Sequence, residues 1–327
     1  MSGPVRFPVG EHPIAVAVAP SGEFVYVADW GAHTVSAFRV EGSDGALTPL
    51  AGSPFATGEW PHSITFAPSG AFLYTANGLS NDVSVFGVDP RTGGLTPVTG
   101  SPFAANNHPE AVVLSPSGAF AYVANGFSHD ISAYRVDPAT GALAELPGSP
   151  FACGEKPLAL VIEPSERFLY VANRRFDVWG YHIDSDGGLR HLEGSPFAAG
   201  RGPTAITIDP TGRFVYVANF RSDAVGAYRI DPASGALRQL DDSPFPTGSI
   251  PVGVTTDALG KLVFVTNGQD DTLSVYRIDE ASGSLTPLAT SPLAAGRMPC
   301  GIAAHPNGRF IYVTNWVSND VAVYRIE

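Results

Sequence analysis

One register fits this chain seven times. Aligned on Tyr-Val-Ala-Asn, the marks fall at Tyr26, Tyr74, Tyr122, Tyr170, Tyr216, Phe264 and Tyr312, spaced 48, 48, 48, 46, 48 and 48 residues apart. Ser-Pro-Phe keeps the same step at Ser53, Ser101, Ser149, Ser195, Ser243 and Ser291, with Leu293 replacing the last Phe. A fixed period near fifty with short strands implies a β-propeller, one blade per repeat. The expectation is all-β: a seven-bladed ring of four-stranded antiparallel blades, forming one domain over residues 1–327. Length alone would favour two domains, and the repeat overrides it. Blades are expected to start near residues 13, 61, 109, 157, 203, 251 and 299.

Blade 2 shows the plan. His62 to Phe66 alternates and is assigned to the innermost strand A. Pro68-Ser69-Gly70 is turn chemistry. Phe72 to Ala76 is strand B, Val83 to Val88 strand C, and Asp89 to Gly93 a second turn. Leu95 to Phe103 is expected as one outer strand D, where Pro97 and Pro102 suit an edge. Strand A carries small residues on one side, such as Ala15, Ala111, Gly253 and Gly301, as crowding near an axis demands. Ile64, Phe66, Ile206 and Ile208 are expected to fill the gaps between blades. The chain stops after strand C of blade 7. The segment within residues 1–10, around Val5 to Val9, is therefore expected to supply that blade's outer strand and close the ring.

Charge bounds the partners. The net charge is −12 with 15% charged residues, opposite to the balance of a nucleic-acid binder. No apolar run approaches the length of a membrane span, and the first residues lack a signal core, so a cytoplasmic protein with neither nucleic-acid nor membrane partners is expected. Cys153 and Cys300 fall at different repeat positions in nearly opposite blades, which argues against a disulfide. Motifs of serine hydrolases, zinc proteases and nucleotide enzymes are missing.

Tyr312-Val313-Thr314-Asn315 is the signature of YVTN-type propellers. Asp137-Pro138-Ala139-Thr140-Gly141-Ala142-Leu143 resembles the C–D turn of the seven-bladed lactonase family, which includes propeller-type 6-phosphogluconolactonases and carboxymuconate lactonising enzymes. The resemblance spans nearly the whole chain and implies an active site at the channel mouth. Where that family often reads Gly-Pro-Arg-His, this chain has Gly202-Pro203-Thr204-Ala205.

Residues that recur in every blade serve the repeat. Asn77 and its equivalents, and Asp82 and its equivalents, are read as scaffold that hydrogen-bonds loop backbone. Residues that break the repeat are free for other work, and they gather in the D–A and B–C loops on one face. Before the blade-start proline stand His12, Trp60, His108, Lys156, Gly202, Ile250 and Met298; after it stand Ile14, His62, Glu110, Leu158, Thr204, Val252 and Cys300. The B–C loops add Trp30, His33, His129, Arg174, Arg175, Arg221 and Trp316, and D–A loops add Arg201 and Arg297. This face of an acidic chain thus collects cations, and a cleft of one sign attracts the other.

His62, His108 and Glu110 are the candidate catalytic residues, because imidazole exchanges protons near neutrality and a carboxylate orients it. Packing against the channel backbone is the alternative for the histidines. Arg174, Arg175, Arg201, Lys156 and Arg221 are candidate anion binders, with solvation or pairing to acids as the alternative. Trp30, Trp60, Trp316 and His12 are candidate substrate contacts that would equally serve as a plug. His182, His191 and His305 are read as structural.

Together these suggest a lactonase-like enzyme acting on a small anionic molecule, a carboxylate or phosphate, by His/Glu acid–base chemistry, without a cofactor or metal and as a monomer. Two alternatives stay open: a non-catalytic binding propeller, and a divergent isomerase, cyclase or lyase on the same scaffold. Metal-assisted chemistry through His12, His62, His108 and Glu110 is a third, with no spaced motif to carry it.

Overall fold

The computed structural model describes residues 2–42 and 44–326. Seven antiparallel sheets form a ring, and the described residues contain no helix. Strand A of each blade starts at the proline: Pro13–Val18, Pro61–Phe66, Pro109–Leu114, Pro157–Ile162, Pro203–Ile208, Pro251–Thr256 and Pro299–Ala304. Consecutive A strands lie against each other all the way round, Pro13–Val18 meeting Pro299–Ala304. In blade 2, strand B is Phe72–Asn77 and strand C is Asp82–Val88, paired from Asn77↔Asp82 outward.

The outer strand differs from the expectation. It is two short pieces, Leu95–Pro97 pairing with the end of strand C and Phe103–Ala104 pairing with its start. Between them the chain turns at a cis Ser101–Pro102 bond, and the Ser101 hydroxyl accepts the Val85 N–H at 2.9 Å. A side chain thus satisfies the strand C donor that the interrupted ladder leaves open. Ser53, Ser149, Ser195, Ser243 and Ser291 do the same in their blades, which is why the Ser-Pro marker recurs.

The apolar cores sit between blades: seven clusters, each shared by two consecutive sheets. Ile64, Ile206 and Ile208 are buried in these seams and Phe66 packs against one, as expected. In five blades the recurring tyrosine pins its blade to the next, while the buried Tyr312 hydroxyl has no hydrogen-bond partner among the described residues. Tyr74 donates its hydroxyl to the Gly141 carbonyl at 2.9 Å, and Tyr26, Tyr122, Tyr170 and Tyr216 repeat the bond to Gly93, Gly187, Gly235 and Gly283. Each acceptor lies in the C–D turn of the following blade. Phe264 breaks the series for a topological reason. The next blade takes its outer strand from the other end of the chain and has no C–D turn to accept the bond.

That closing strand is Ser2–Pro8, antiparallel to Asp320–Arg325 with Val5↔Val323 and Phe7↔Val321 in register. At the far end of the same seam, His305 joins the Gly22 carbonyl through Nε2 at 2.9 Å, a structural role. The recurring Asn and Asp bond each other's side chains more than loop backbone. Asn77 Nδ2 donates to Asp82 Oδ1 at 2.6 Å and Ser84 Oγ at 2.9 Å, and Asn125 repeats this with Asp130 and Ser132.

Candidate functional site

The residue before each blade-start proline is left-handed in every blade. Its φ is 53° at His12, 58° at Trp60, 60° at His108, 56° at Lys156, 69° at Gly202, 59° at Ile250 and 56° at Met298. Six of the seven are not glycine, and a non-glycine residue costs about 1–2 kcal/mol there. The surrounding bonds hold it. The His108 N–H is accepted by Asn81 Oδ1 at 2.8 Å, and its carbonyl accepts the Gly126 N–H at 2.8 Å. Asn81 is the residue before strand C of the preceding blade, so each such bond clasps two blades. His33 clasps Trp60, His129 clasps Lys156, Asp223 clasps Ile250, Asp271 clasps Met298 and Asn319 clasps His12. His33 and His129 are therefore scaffold, with Nδ1 standing in for an amide oxygen. Phe176, at this place in the shortened blade 4 loop, has no acceptor to offer Gly202.

This backbone throws two tiers of side chains toward the axis. They line a cavity of about 520 Å³ that includes His62, His108, Glu110, Lys156 and Arg174. Glu110 lies between the two imidazoles. Its Oε2 is 3.3 Å from Nδ1 of His62 and its Oε1 is 3.3 Å from Nδ1 of His108. The three side chains are between 11% and 16% exposed, so the carboxylate is largely shielded from water. These are close contacts and not closed hydrogen bonds, and Nδ1 of His108 is buried without a hydrogen-bond partner; catalytic hydrogen bonds of this kind tighten when a substrate binds. The imidazole rings of His62 and His108 are 5.1 Å apart.

Two glycines make room for them. A Cβ on Gly78 would stand 2.6 Å from Cδ2 of His62, and one on Gly126 would stand 2.8 Å from Cγ of Glu110. These B–C loop positions carry Trp30, Arg174, Phe220 and Trp316 in other blades. The site residues lie on bare backbone where other blades have a side chain.

The Trp30 indole N–H donates to Nε2 of His62 at 3.2 Å. That nitrogen is therefore an acceptor, and the ring hydrogen sits on Nδ1, facing Glu110. Burial holds the His62 pKa below its ordinary value. Glu110 opposes this, while His108 and Lys156 add to it. His108 has the complementary freedom: its ring stacks on Phe127 at 4.1 Å, and no hydrogen bond among the described residues engages its Nε2.

His62, His108 and Glu110 each offer a ligand atom, all within 4.8 Å of one another, a set able to hold a metal ion. Trp30 works against a metal at Nδ1 of His62, since its bond keeps the hydrogen on that atom. Cys300 also lines the cavity, with burial pushing its thiol up to about 12, so it is a poor nucleophile at neutral pH.

The aromatic residues form one continuous arc. His12 stacks on Trp316 at 4.9 Å, Trp316 leans on Trp30 at 5.0 Å, and Trp30 stacks on Trp60 at 4.7 Å. The cations separate. The Lys156 ammonium lies 5.1 Å from the Phe127 ring centroid and Arg174 5.9 Å from that of Phe220, and both line the cavity. Arg175 instead turns to Glu155 at 2.7 Å on the exposed surface. Arg201 and Arg221 are exposed and do not line the cavity.

A family described as "Lactonase, 7-bladed beta-propeller" matches residues 3–106, 112–255 and 249–327. No curated protein matches the chain in sequence. Among solved structures, the periplasmic gluconolactonase of Pseudomonas aeruginosa is 23% identical with a TM-score of 0.76, covering 90% of this chain and 88% of its own. A candidate 6-phosphogluconolactonase of Bacteroides fragilis is 20% identical with a TM-score of 0.78, covering 93% and 87%. Hydrazine synthase of Kuenenia stuttgartiensis is 18% identical with a TM-score of 0.76, covering 96% of each. At these identities the likeness speaks for the fold, and one fold serves unlike chemistries.

Proposed function

The chain belongs to the seven-bladed β-propeller lactonase family, and from that premise we propose that it hydrolyses a small anionic lactone in the axial cavity. The observation that carries this reading is Glu110, a shielded carboxylate held between the Nδ1 atoms of two imidazoles, 3.3 Å from each.

Glu110, 3.3 Å from the unpartnered Nδ1 of His108, draws the ring hydrogen to that atom as the complex tightens, leaving Nε2 as the base. Nε2 takes a proton from water as the oxygen adds to the lactone carbonyl. The Lys156 ammonium balances the charge that builds on the carbonyl oxygen. The ring C–O bond then breaks, and the proton on His108 passes to the departing ring oxygen, giving a hydroxy acid. His62, tied to Trp30 and Glu110, positions the carboxylate. Arg174 holds the fixed anion of the substrate.

The test is turnover of a lactone panel by the purified protein, with His108→Asn and Glu110→Gln alongside. Asn tolerates the left-handed backbone at 108, so the fold is retained. A loss of roughly 10²–10⁴-fold in kcat at an unchanged melting temperature is expected. A wild-type protein that opens no lactone, yet melts higher with a small anion present, would instead be a ligand-binding propeller.

A further inference from the structure

Resting on the lactone-hydrolase reading, we propose that the substrate is a lactone with a hydrocarbon body and one anionic group, and not a polyhydroxylated sugar lactone. The cavity is divided. Its charged and imidazole side chains lie together in blades 2 to 4: His62, His108, Glu110, Lys156 and Arg174. The opposite wall, from blade 5 through blade 7 to blade 1, carries Ala205, Val252, Val254, Ile302, Ile14 and Val16.

The hydroxyl on that wall is already engaged. Thr204 Oγ1 donates to the Pro251 carbonyl at 3.1 Å and reaches the Ala218 carbonyl at 3.3 Å. The Cys300 thiol faces the Met298 carbonyl at 3.3 Å. Two backbone donors of this wall are taken as well, Gly253 N–H by Thr266 and Gly301 N–H by Thr314. A sugar lactone would bring several hydroxyls against this wall and leave them without partners. A hydrocarbon body loses nothing there and gains the removal of apolar surface from water.

The single anionic group follows from the other half. Lys156 and Arg174 have no acidic partner among the described residues; each rests against an aromatic face. Two such cations in one quadrant suit one carboxylate or phosphate, with the body of the ligand pointing across the axis.

The experiment compares a γ-butyrolactone carrying an ω-carboxyalkyl chain with glucono-δ-lactone and its 6-phosphate, on the full chain. Hydrolysis is followed by pH-stat, and the matching lactams, which resist hydrolysis, are titrated by calorimetry. The carboxyalkyl lactone is expected to exceed both sugar lactones in kcat/KM by on the order of 100-fold, the discrimination typical of an added hydroxyl in an apolar pocket. Val252→Asn, which plants an amide on the apolar wall, is expected to narrow that ratio several-fold; an unchanged ratio in a folded variant counts against the proposal. If the sugar lactones are preferred, the substrate class is overturned and the hydrolase reading stands. If nothing is hydrolysed but the carboxyalkyl lactam binds and the sugar lactam does not, the substrate chemistry stands and the hydrolase reading falls. If neither is hydrolysed and neither lactam binds, both fall.

Discussion

The indole of Trp30, from blade 1, donates its N–H to Nε2 of His62, from blade 2, at 3.2 Å, and so decides which ring nitrogen of His62 bears the hydrogen. The bond favours the neutral ring, because a protonated imidazole has no acceptor at Nε2. Trp30→Phe keeps an aromatic ring on Trp60 and removes this donor. A hydrogen bond is worth about 0.5–1.5 kcal/mol net, so the His62 pKa is expected to rise by up to about one unit. Titration of the imidazole by NMR reads this directly, and an unmoved pKa would mean the bond does not hold the tautomer.

The pH dependence follows from the same ring. Burial, opposed by Glu110 and assisted by His108 and Lys156, holds His62 below its ordinary value of 6.5. A folded-state pKa below the unfolded one means that the unfolded chain binds the extra proton first. The contribution of His62 to stability is therefore complete above pH 6.5 and is lost as the pH falls through the folded-state pKa. Below that point a cationic His62 competes for Glu110. Turnover is expected to lose a component on the acid side as His62 becomes cationic, and the pH profile of His62→Asn should lack that component.

Gly126 tests whether the placement of Glu110 matters. An alanine there would put Cβ 2.8 Å from Cγ and 2.9 Å from Oε1 of Glu110, so the carboxylate must move. A displacement approaching 1 Å costs on the order of 10²-fold in a catalytic step. Gly126→Ala is expected to lower kcat by about 10- to 100-fold with little change in melting temperature. Unchanged turnover would show that Glu110 does not act through its position between the imidazoles.

Asn81 never reaches the cavity, yet it holds the His108 N–H at 2.8 Å. Asn81→Ala should cost about 1 kcal/mol of stability and lower kcat more than it changes KM. Asn81→Asp should restore both, since Asp223 and Asp271 make the same clasp elsewhere. Asp271→Ala, which frees Met298 away from the imidazoles, is the control. It should lose similar stability and keep turnover within about 2-fold. If the two alanine variants lose activity equally, Asn81 is structural and does not position His108.

Much of the ring was legible because a period needs no side-chain geometry. Tyr74, Ser101 and Asn77 recur because each makes a bond that most blades repeat. The divided outer strand was not legible, since Leu95 to Phe103 has the composition of a continuous edge and only the Ser101 bond to Val85 reveals the break. His62, His108 and Glu110 stood out as departures from the repeat, and the fold brings them together. His33 and His129 also departed, but only in residue name: an imidazole nitrogen accepts as an amide oxygen does. The arginines were hardest to place. Arg174 and Arg175 are neighbours on one loop, yet one lines the cavity and the other meets Glu155, because long side chains follow local partners. Gly78 and Gly126 gave the opposite problem: their role is the space they leave.

One departure from the repeat remains outside the site. Asp29 stands where six other blades have Asn, fully buried, with Ser36 and Thr34 donating to Oδ2 and no partner at Oδ1. Burial raises its pKa from 3.8 to about 6, against the hydrogen bonds from Ser36, Thr34 and Gly10. A raised carboxyl pKa means the folded state holds the proton longer, so stability falls as the pH climbs from 3.8 through 6 and the full penalty is present above that. Two units correspond to roughly 3 kcal/mol. Blade 6 already shows the neutral solution, where Asn267 Nδ2 donates to Thr272 at 3.0 Å and Ser274 at 2.9 Å, the same residue types as Thr34 and Ser36. Asp29→Asn is therefore expected to stabilise the protein by about 1–3 kcal/mol at pH 7 and by almost nothing near pH 4. Melting temperatures at the two pH values decide it. An equal gain at both would assign the effect to packing, and no gain at pH 7 would mean the carboxylate is solvated in a way its burial does not suggest.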